Sequence, residues 1–385
     1  MKPEDLYFMP LNGGQNVGAS CYFLRLGNAN IILDAGTGKN KGIIFEPDFL
    51  SLLTLPFILS LNQIDQIFIS HAHLDHTGYL LELMKSAQHA GVYMTKPTKL
   101  LIEHQLYSKK FLASSNSDDI NNEEQRLAAE YLLQKIIEVN YMQTINFHDY
   151  TAEFFQAGHI PGAMMTLINY HGRKILYTGD YSLHSTALTG GCLLPGNLEI
   201  DTLIMCGLHA KHPDYQRQND ILYNDINSIF QLANSGKNIT CHISQLSKGI
   251  EFVKILNSCN ENHIPIFIDN EIMNIIKIMD KLAEPVLTVD NFPVSEFYKY
   301  DTGIIITSSS YKSVNAIEFQ INFSLHEDFE DMSNFIHQLD PRQAVIVHSA
   351  PAHSEDDITI EQEIMKDYTC RTQFIFAENG QLYIL

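Results

Sequence analysis

Six residues, His71-Ala72-His73-Leu74-Asp75-His76, constrain this chain more than any other stretch. They follow an apolar β-branched run, Ile64 to Ser70 (IDQIFIS), and precede Tyr79 to Ala90, where Leu80, Leu81, Leu83 and Met84 repeat at helical spacing. The cluster therefore sits where a strand turns into a helix. Alternate side chains of an extended segment project the same way, so His71 and His73 share a direction, and the turn brings Asp75 and His76 back beside them. Imidazole and carboxylate groups packed this densely suit a divalent metal, and four ligands can converge from these six positions. A solvated polar turn is the plain alternative. The metal reading makes a demand that the plain one does not: two ions need further His and Asp from distant strand ends.

Three later positions meet that demand. His159 follows Ala152 to Ala157 in the sequence Ala157-Gly158-His159-Ile160-Pro161-Gly162, where the glycines would let backbone approach an ion closely. Asp180 ends Ile175 to Asp180 (ILYTGD), and His348 ends Ala344 to His348 (AVIVH). Taken singly each has an ordinary reading. An aspartate beside glycine, as at Asp34 and Asp180, is a common turn residue, and a lone histidine at a strand end is more often a satisfied surface group. It is the shared pattern that reverses these readings.

A chain of 385 residues exceeds one compact core and implies two domains, or one domain with a large insertion. Up to Met205 short apolar runs alternate with turns, as in stacked strands, with helical patterns in residues 97–139 broken by the polar stretch Ser114 to Asn122. After Leu203-Ile204-Met205 helix and strand patterns alternate: Ile221 to Ala233, Asn238 to Ile243, Gly249 to Ser258, Ile264 to Ile268, Glu271 to Leu282 and Gly303 to Thr307. Such alternation predicts a small α/β domain on a parallel sheet. Met332 to Leu339, Ala344 to Val347 and Phe374 to Leu385 resemble the strand and helix pieces of the amino-terminal half and complete the first domain. Six scattered cysteines without a CxxC pair argue against a disulfide framework and a thiolate zinc site, and fit small buried residues. The segment Met1 to Tyr7 is polar and no apolar run is long enough to span a bilayer, so a cytoplasmic protein without membrane contact is expected. A formal charge of −20 excludes a general nucleic-acid coating protein, though not a local cationic cleft.

The chain resembles the β-CASP branch of the metallo-β-lactamase superfamily, which includes ribonuclease J and the endonuclease of mRNA 3′-end processing. The resemblance runs colinearly through Gly13 to Ser20 (GGQNVGAS), Leu33-Asp34-Ala35-Gly36, HAHLDHTG, AGHIPGA, Tyr177 to Ser182 (YTGDYS), Phe323-Ser324-Leu325-His326 and Val347-His348. It implies an αββα metallo-β-lactamase sandwich in residues 1–206 and 321–385, with an inserted small α/β domain in 207–320. By resemblance, His71, His73 and His159 hold one metal, Asp75, His76 and His348 the other, and Asp180 bridges them. The implied cofactor is two Zn2+, with manganese or iron as alternatives. Asp34 accepts hydrogen bonds that fix the histidine turn. Catalysis falls to Asp75 and to His326, the acid for the leaving group, for which a helix-capping role is the plain alternative. Lys248 and the serines Ser308, Ser309 and Ser310, in a loop continuing to Tyr311 and Lys312, would contact substrate phosphates.

The resemblance thus implies a metal-dependent ribonuclease acting on single-stranded RNA, because the RNA-directed members carry histidine at the position of His348. Two departures qualify it. Cys206 stands where a carboxylate should follow Leu203-Ile204-Met205, which removes the usual acidic partner of His326 and leaves Glu327 or Asp328 as substitutes. The insertion is also short, so grip on a substrate would be modest or come from a homodimer or protein partner. The alternatives are a small ester, thioester or lactone hydrolase, which suits the acidic surface, and a weakly active subunit of an RNA-processing complex.

Overall fold

A computed structural model describes residues 6–108, 119–196, 198–215, 219–282, 294–296, 303–310, 315–351, 358–366 and 371–385. These form two compact units: Met1–His184 with Gly191–Gln216 and His326–Leu385, and Ser185–Gly190 with Arg217–Leu325. Cys370, Tyr311 and Lys312 lie outside the described residues.

The first unit begins with an antiparallel meander, β1 (Leu6–Asn12), β2 (Cys21–Leu26) and β3 (Ala29–Leu33). A hairpin of β4 (Gly38–Asn40) and β5 (Ile43–Phe45) and a short α1 (Phe49–Leu52) lead to β6 (Gln66–Phe68), parallel to β3. The histidine cluster comes next and opens α2 (Leu74–Thr77), then α3 (Leu80–Ser86), β7 (Gly91–Thr95), α4 (Lys96–Leu106), α5 (Asp119–Lys135) and β8 (Ile136–Val139). The helical reading of residues 97–139 therefore stops at Lys135. Two consecutive isoleucines and a valine favour a pleated strand, and pairing parallel to β7 supplies the ladder that a longer helix would forfeit.

The second sheet takes β9 (Thr144–Asn146), β10 (Tyr150–Gln156), β11 (Met164–Tyr170), β12 (Arg173–Tyr177) and β13 (Thr202–Cys206). The second unit then runs through α6 (Asn219–Asn234), β14 (Ile239–His242), α7 (Ile250–Ser258), β15 (Ile266–Ile268), α8 (Asn270–Asp280), β16 (Val294–Glu296), β17 (Ile304–Thr307) and β18 (Ile317–Gln320). Its strands are all parallel, in the order β16-β15-β17-β14-β18, as helix–strand alternation requires. The chain returns with α9 (Phe329–Leu339), β19 (Gln343–Val347), α10 (Ile360–Ile364), β20 (Gln373–Phe376) and β21 (Tyr383–Ile384). Strand β19 pairs with β13 and β20 with β19, but β21 crosses over to pair with β1.

Each of the two large sheets has seven strands, and one core joins them: Leu6, Phe8, Leu24, Leu33 and Phe68 of the first meet Phe154, Met164, Ile168, Tyr177, Ile204 and Val345 of the second. Every residue of β2 and of β13 is buried, so their outer faces are covered too, as in a sheet sandwiched under helices. This is an αββα sandwich. The strands β6, β10, β12 and β19 stop just short of a candidate ligand and β3 just short of Asp34, so the same hydrophobic registry that closes the core delivers polar side chains to one rim.

Candidate metal centre

The rim is organised by Asp34. It lies directly after β3 with φ +58, a left-handed conformation costly for a side-chain-bearing residue, and its carboxylate is fully buried. It accepts from Ser70 N and Ser70 Oγ at 2.6 Å each, from Tyr177 Oη at 2.5 Å and from His76 Nδ1 at 2.7 Å. The last bond puts the His76 proton on Nδ1 and turns the Nε2 lone pair outward. Ser70 Oγ, having given its proton to Asp34, accepts from His71 Nδ1 at 3.0 Å, and so frees His71 Nε2 in the same sense. Across the rim Ser20 Oγ lies 2.8 Å from His348 Nδ1. His348 too is left-handed, at φ +50, with its N–H donating to Gly13 O. Gly179 (φ +54) admits Ser70 against the backbone before Asp180, where any Cβ would collide with it.

The lone pairs released by these bonds converge. His71 Nε2 is 3.0 Å from His73 Nδ1, which is 3.3 Å from His159 Nε2, and Asp180 Oδ2 lies 3.7 and 3.8 Å from His71 and His159. Donors bound about 2.0–2.1 Å from a tetrahedral ion stand about 3.3 Å apart, so this spacing fits a metal. A second group forms beside it: His76 Nε2 and His348 Nε2 lie 4.0 and 3.9 Å from Asp75 Oδ2, and His76 Nε2 is 3.4 Å from the same Asp180 oxygen. Asp180 Oδ1 is buried with no hydrogen-bond partner among the described residues, a position that a cation would satisfy. Burial, then the neighbouring imidazoles, push His71 well below the usual histidine range, and burial with His159 takes His73 to about 4. Neutral imidazole is the form that binds metal. Burial opposes charge on His76 also, but Asp180, Asp34 and Asp75 outweigh it and push that ring up.

Residues 14–202 match the metallo-beta-lactamase superfamily model. Probable RNase MJ4 of Methanocaldococcus jannaschii is 31% identical over 270 residues, covering 68% of this chain and 59% of that protein. The chain belongs to the metallo-β-lactamase superfamily. Within it the relatives place the chain in the β-CASP branch: endoribonuclease YSH1 of Candida glabrata is 30% identical over 278 residues, and cleavage and polyadenylation specificity factor subunit 3 of Dictyostelium discoideum 27% over 278. Each of these two matches covers 68% of this chain but 34% of the relative, so the chain spans about a third of their length. A crystal structure from Enterococcus faecalis V583 superposes with a TM-score of 0.65 at 15% identity, covering 99% of this chain and all of that one, a likeness of fold. The metallo-β-lactamase fold implies a divalent metal, and the His and Asp groups at the rim could hold it.

The departure at Cys206 is resolved within the sandwich. Neither Glu327 nor Asp328 takes the place of the missing carboxylate. Asp328 caps α9, accepting from Asp331 N at 2.9 Å, and Glu327 accepts from Leu183 N at 2.7 Å with His184 3.8 Å away. The acid that faces His326 is Asp180, its Oδ2 3.8 Å from His326 Nδ1, and the Cys206 thiol completes that trio. Because Asp328 is the cap, His326 is not one. His326 is partly exposed, its side chain at 21% and its ring 4.7 Å from that of His159. Burial and the rings of His159, His348 and His73 push it well below the usual range, against the pull of Asp180.

Gly158, beside His159, has a packing role. A Cβ at Gly158 would strike the backbone of Gly191 and Cys192, so the small residue allows two chain segments to touch. In the second unit Lys248 is tied down, Nζ donating to Asn322 Oδ1 at 3.0 Å with the Phe323 ring beneath it, and burial lowers its pKa. Ser308 Oγ donates to Asp269 at 3.0 Å and Ser309 Oγ shares a 2.8 Å bond with Thr307. These serines sit, with Ser310, His242 and Gln320, around a cavity of about 680 Å³ at the carboxyl ends of β14, β17 and β18. Cys21, Cys206 and Cys241 are buried free thiols, whereas Cys259 is exposed. The orienting roles of Ser20, Ser70 and Tyr177 carry no distinct signal in the sequence. No helix among the described residues is long and apolar enough to cross a membrane.

Proposed function

We propose that this chain is a metal-dependent ribonuclease that hydrolyses phosphodiester bonds in single-stranded RNA. The reading rests on one observation, seven ligand-type side chains from four segments meeting at two adjoining donor sets, with Asp180 in the first and 3.4 Å from His76 of the second, in a chain whose relatives are named RNase and endoribonuclease. His71, His73 and His159 would hold one ion and Asp75, His76 and His348 the other, with Asp180 placed to serve both. Five imidazoles with carboxylates and no thiolate favour two Zn2+, with Mn2+ or iron accepted by the same set. When bound, such a pair supplies Lewis acidity toward the phosphate and lowers the pKa of the attacking water. Asp34, through Ser70 and His76, holds the imidazoles in the tautomer that faces inward. Asp75 orients the attacking water while contributing to its donor set. As water adds to phosphorus it gives a proton to Asp75, the bond to the leaving ribose oxygen breaks, and His326 gives that oxygen its proton. The ring is neutral-leaning on its own, so the approaching phosphate anion, together with Asp180, raises its proton affinity at the moment it is needed.

The second unit, Arg217–Leu325 with Ser185–Gly190, takes the place of the insertion expected over 207–320 and supplies Lys248 and the Ser308–Ser310 loop as phosphate contacts, and a partner protein or second copy adds grip. A cytoplasmic site of action fits these assignments. The test uses metal-loaded protein and labelled RNA. His326→Ala should lose about 100-fold or more in kcat/KM with both metals retained, and wild-type affinity should fall steeply as salt rises. Loss of metal in that variant would make His326 structural. Turnover of a neutral ester without RNA cleavage would replace the ribonuclease by a small-molecule hydrolase.

A further inference from the structure

Immediately after β13 the chain makes a compact excursion, residues 207–215, held by Gly207 N to Val347 O at 2.7 Å and by Ile360 N to Ala210 O at 2.8 Å. It encloses a cavity of about 350 Å³ whose walls include His209, His212, Pro213, Tyr215 and Ala350. That volume lies at the small end of ligand pockets. The rings of His209 and Tyr215 are stacked with centroids 3.5 Å apart and planes 7° from parallel, and His212 meets His209 edge-on at 6.0 Å. His212 is fixed by a 2.9 Å bond between its Nε2 and Pro351 O. His209 Nε2 is buried with no hydrogen-bond partner among the described residues. The pocket wall starts at Leu208, just beyond Cys206, and ends at Ala350, just beyond His348, so roughly 7 Å of extended chain, at most, separates its Ala350 wall from a candidate ligand.

We infer that this pocket receives one nucleobase of the RNA strand, next to the phosphate engaged at the metal centre. A pre-stacked flat wall suits a π-face of any base. Phosphate is the wrong occupant. Asp214 lines the same pocket, and burial and His212 push His209 down to about 4, so the wall carries no cation at neutral pH. A carboxylate there would accept from an exocyclic amino group instead. The inference rests on the ribonuclease reading for its substrate but uses none of its ligand residues.

The test has two arms. By equilibrium dialysis, metal-loaded protein should bind adenosine 5′-monophosphate about tenfold more tightly than ribose 5-phosphate. Tyr215→Leu should abolish that preference and Tyr215→Phe keep it, with metal content unchanged. In cleavage, one abasic residue at a single position beside the cut bond should cost wild type about tenfold in kcat/KM and Tyr215→Leu little. Equal affinity for the two phosphates in wild type would overturn the inference, and that arm decides even if Tyr215→Leu does not fold. Cleavage of RNA with no abasic penalty would overturn it while sparing the ribonuclease reading. A Tyr215-dependent preference in a protein that cuts no RNA would sink that reading and keep the base pocket.

Discussion

Asp34 gathers four hydrogen bonds from Ser70, Tyr177 and His76, and none of those donors is a metal ligand type except the last. The aspartate could be picked out in the sequence because it sits at a strand end before Ala35-Gly36. Ser70 and Tyr177 could not, since a serine or tyrosine at the tip of an apolar strand reads as one more core residue until the other sheet is in place. Glu327 tells the complementary story. As a neighbour of His326 it looked like a substitute acid, yet one position along the chain turns its carboxylate toward Leu183, and burial with the adjoining Asp331 raises it to about 7. A glutamate raised in the fold stabilises below its unfolded pKa, and this contribution is lost as pH climbs through the folded value. Between pH 5 and 8, wild type should therefore lose on the order of 2 kcal/mol relative to Glu327→Gln. Denaturant midpoints for both proteins, taken across that range, check it; parallel curves would show that the carboxyl is ionised throughout.

Among the elements, helices with one apolar stripe and mostly buried strands such as β14, β15 and β17 were readable, and short strands with exposed positions were not. The helices α7, α8 and α9 fell within a few residues of their apolar periodicity, because each buries one continuous stripe. Strands such as β4, β5, β8 and β18, three or four residues long, carry too few positions to show alternation and are defined by their partners instead. The helix α9 buries Phe329, Met332, Phe335, Ile336 and Leu339, and its start shortly after His326 is set by the Asp328 carboxylate. Asp328→Ala should cost about 1 kcal/mol, read as a lowered denaturant midpoint with an unchanged slope. Because the capping bond precedes only α9, the metal content of that variant should stay at the wild-type level.

For the whole molecule, the division into a sandwich and a parallel α/β unit was visible in the change of pattern after Met205, whereas the crossing of β21 from one sheet to the other was not, since pairing over such a distance leaves no local trace. All seven candidate ligands belong to the sandwich. Ions that bind only the folded state stabilise it by mass action, about 2.7 kcal/mol at a free concentration 100-fold above Kd. Stripping metal with a chelator should therefore lower the melting transition of the sandwich and restore it on adding Zn2+, while any separate transition of the parallel unit stays put; calorimetry reads both. The position of β21 also bears on biosynthesis. Strand β1 leaves the ribosome long before β21, and its outer edge has no strand neighbour among the described residues until residues 383 and 384 arrive, after β20 has already joined the opposite sheet. Throughout that stretch of translation the nascent polypeptide carries an open backbone edge that other chains could join, and assistance from a chaperone matters most in that interval.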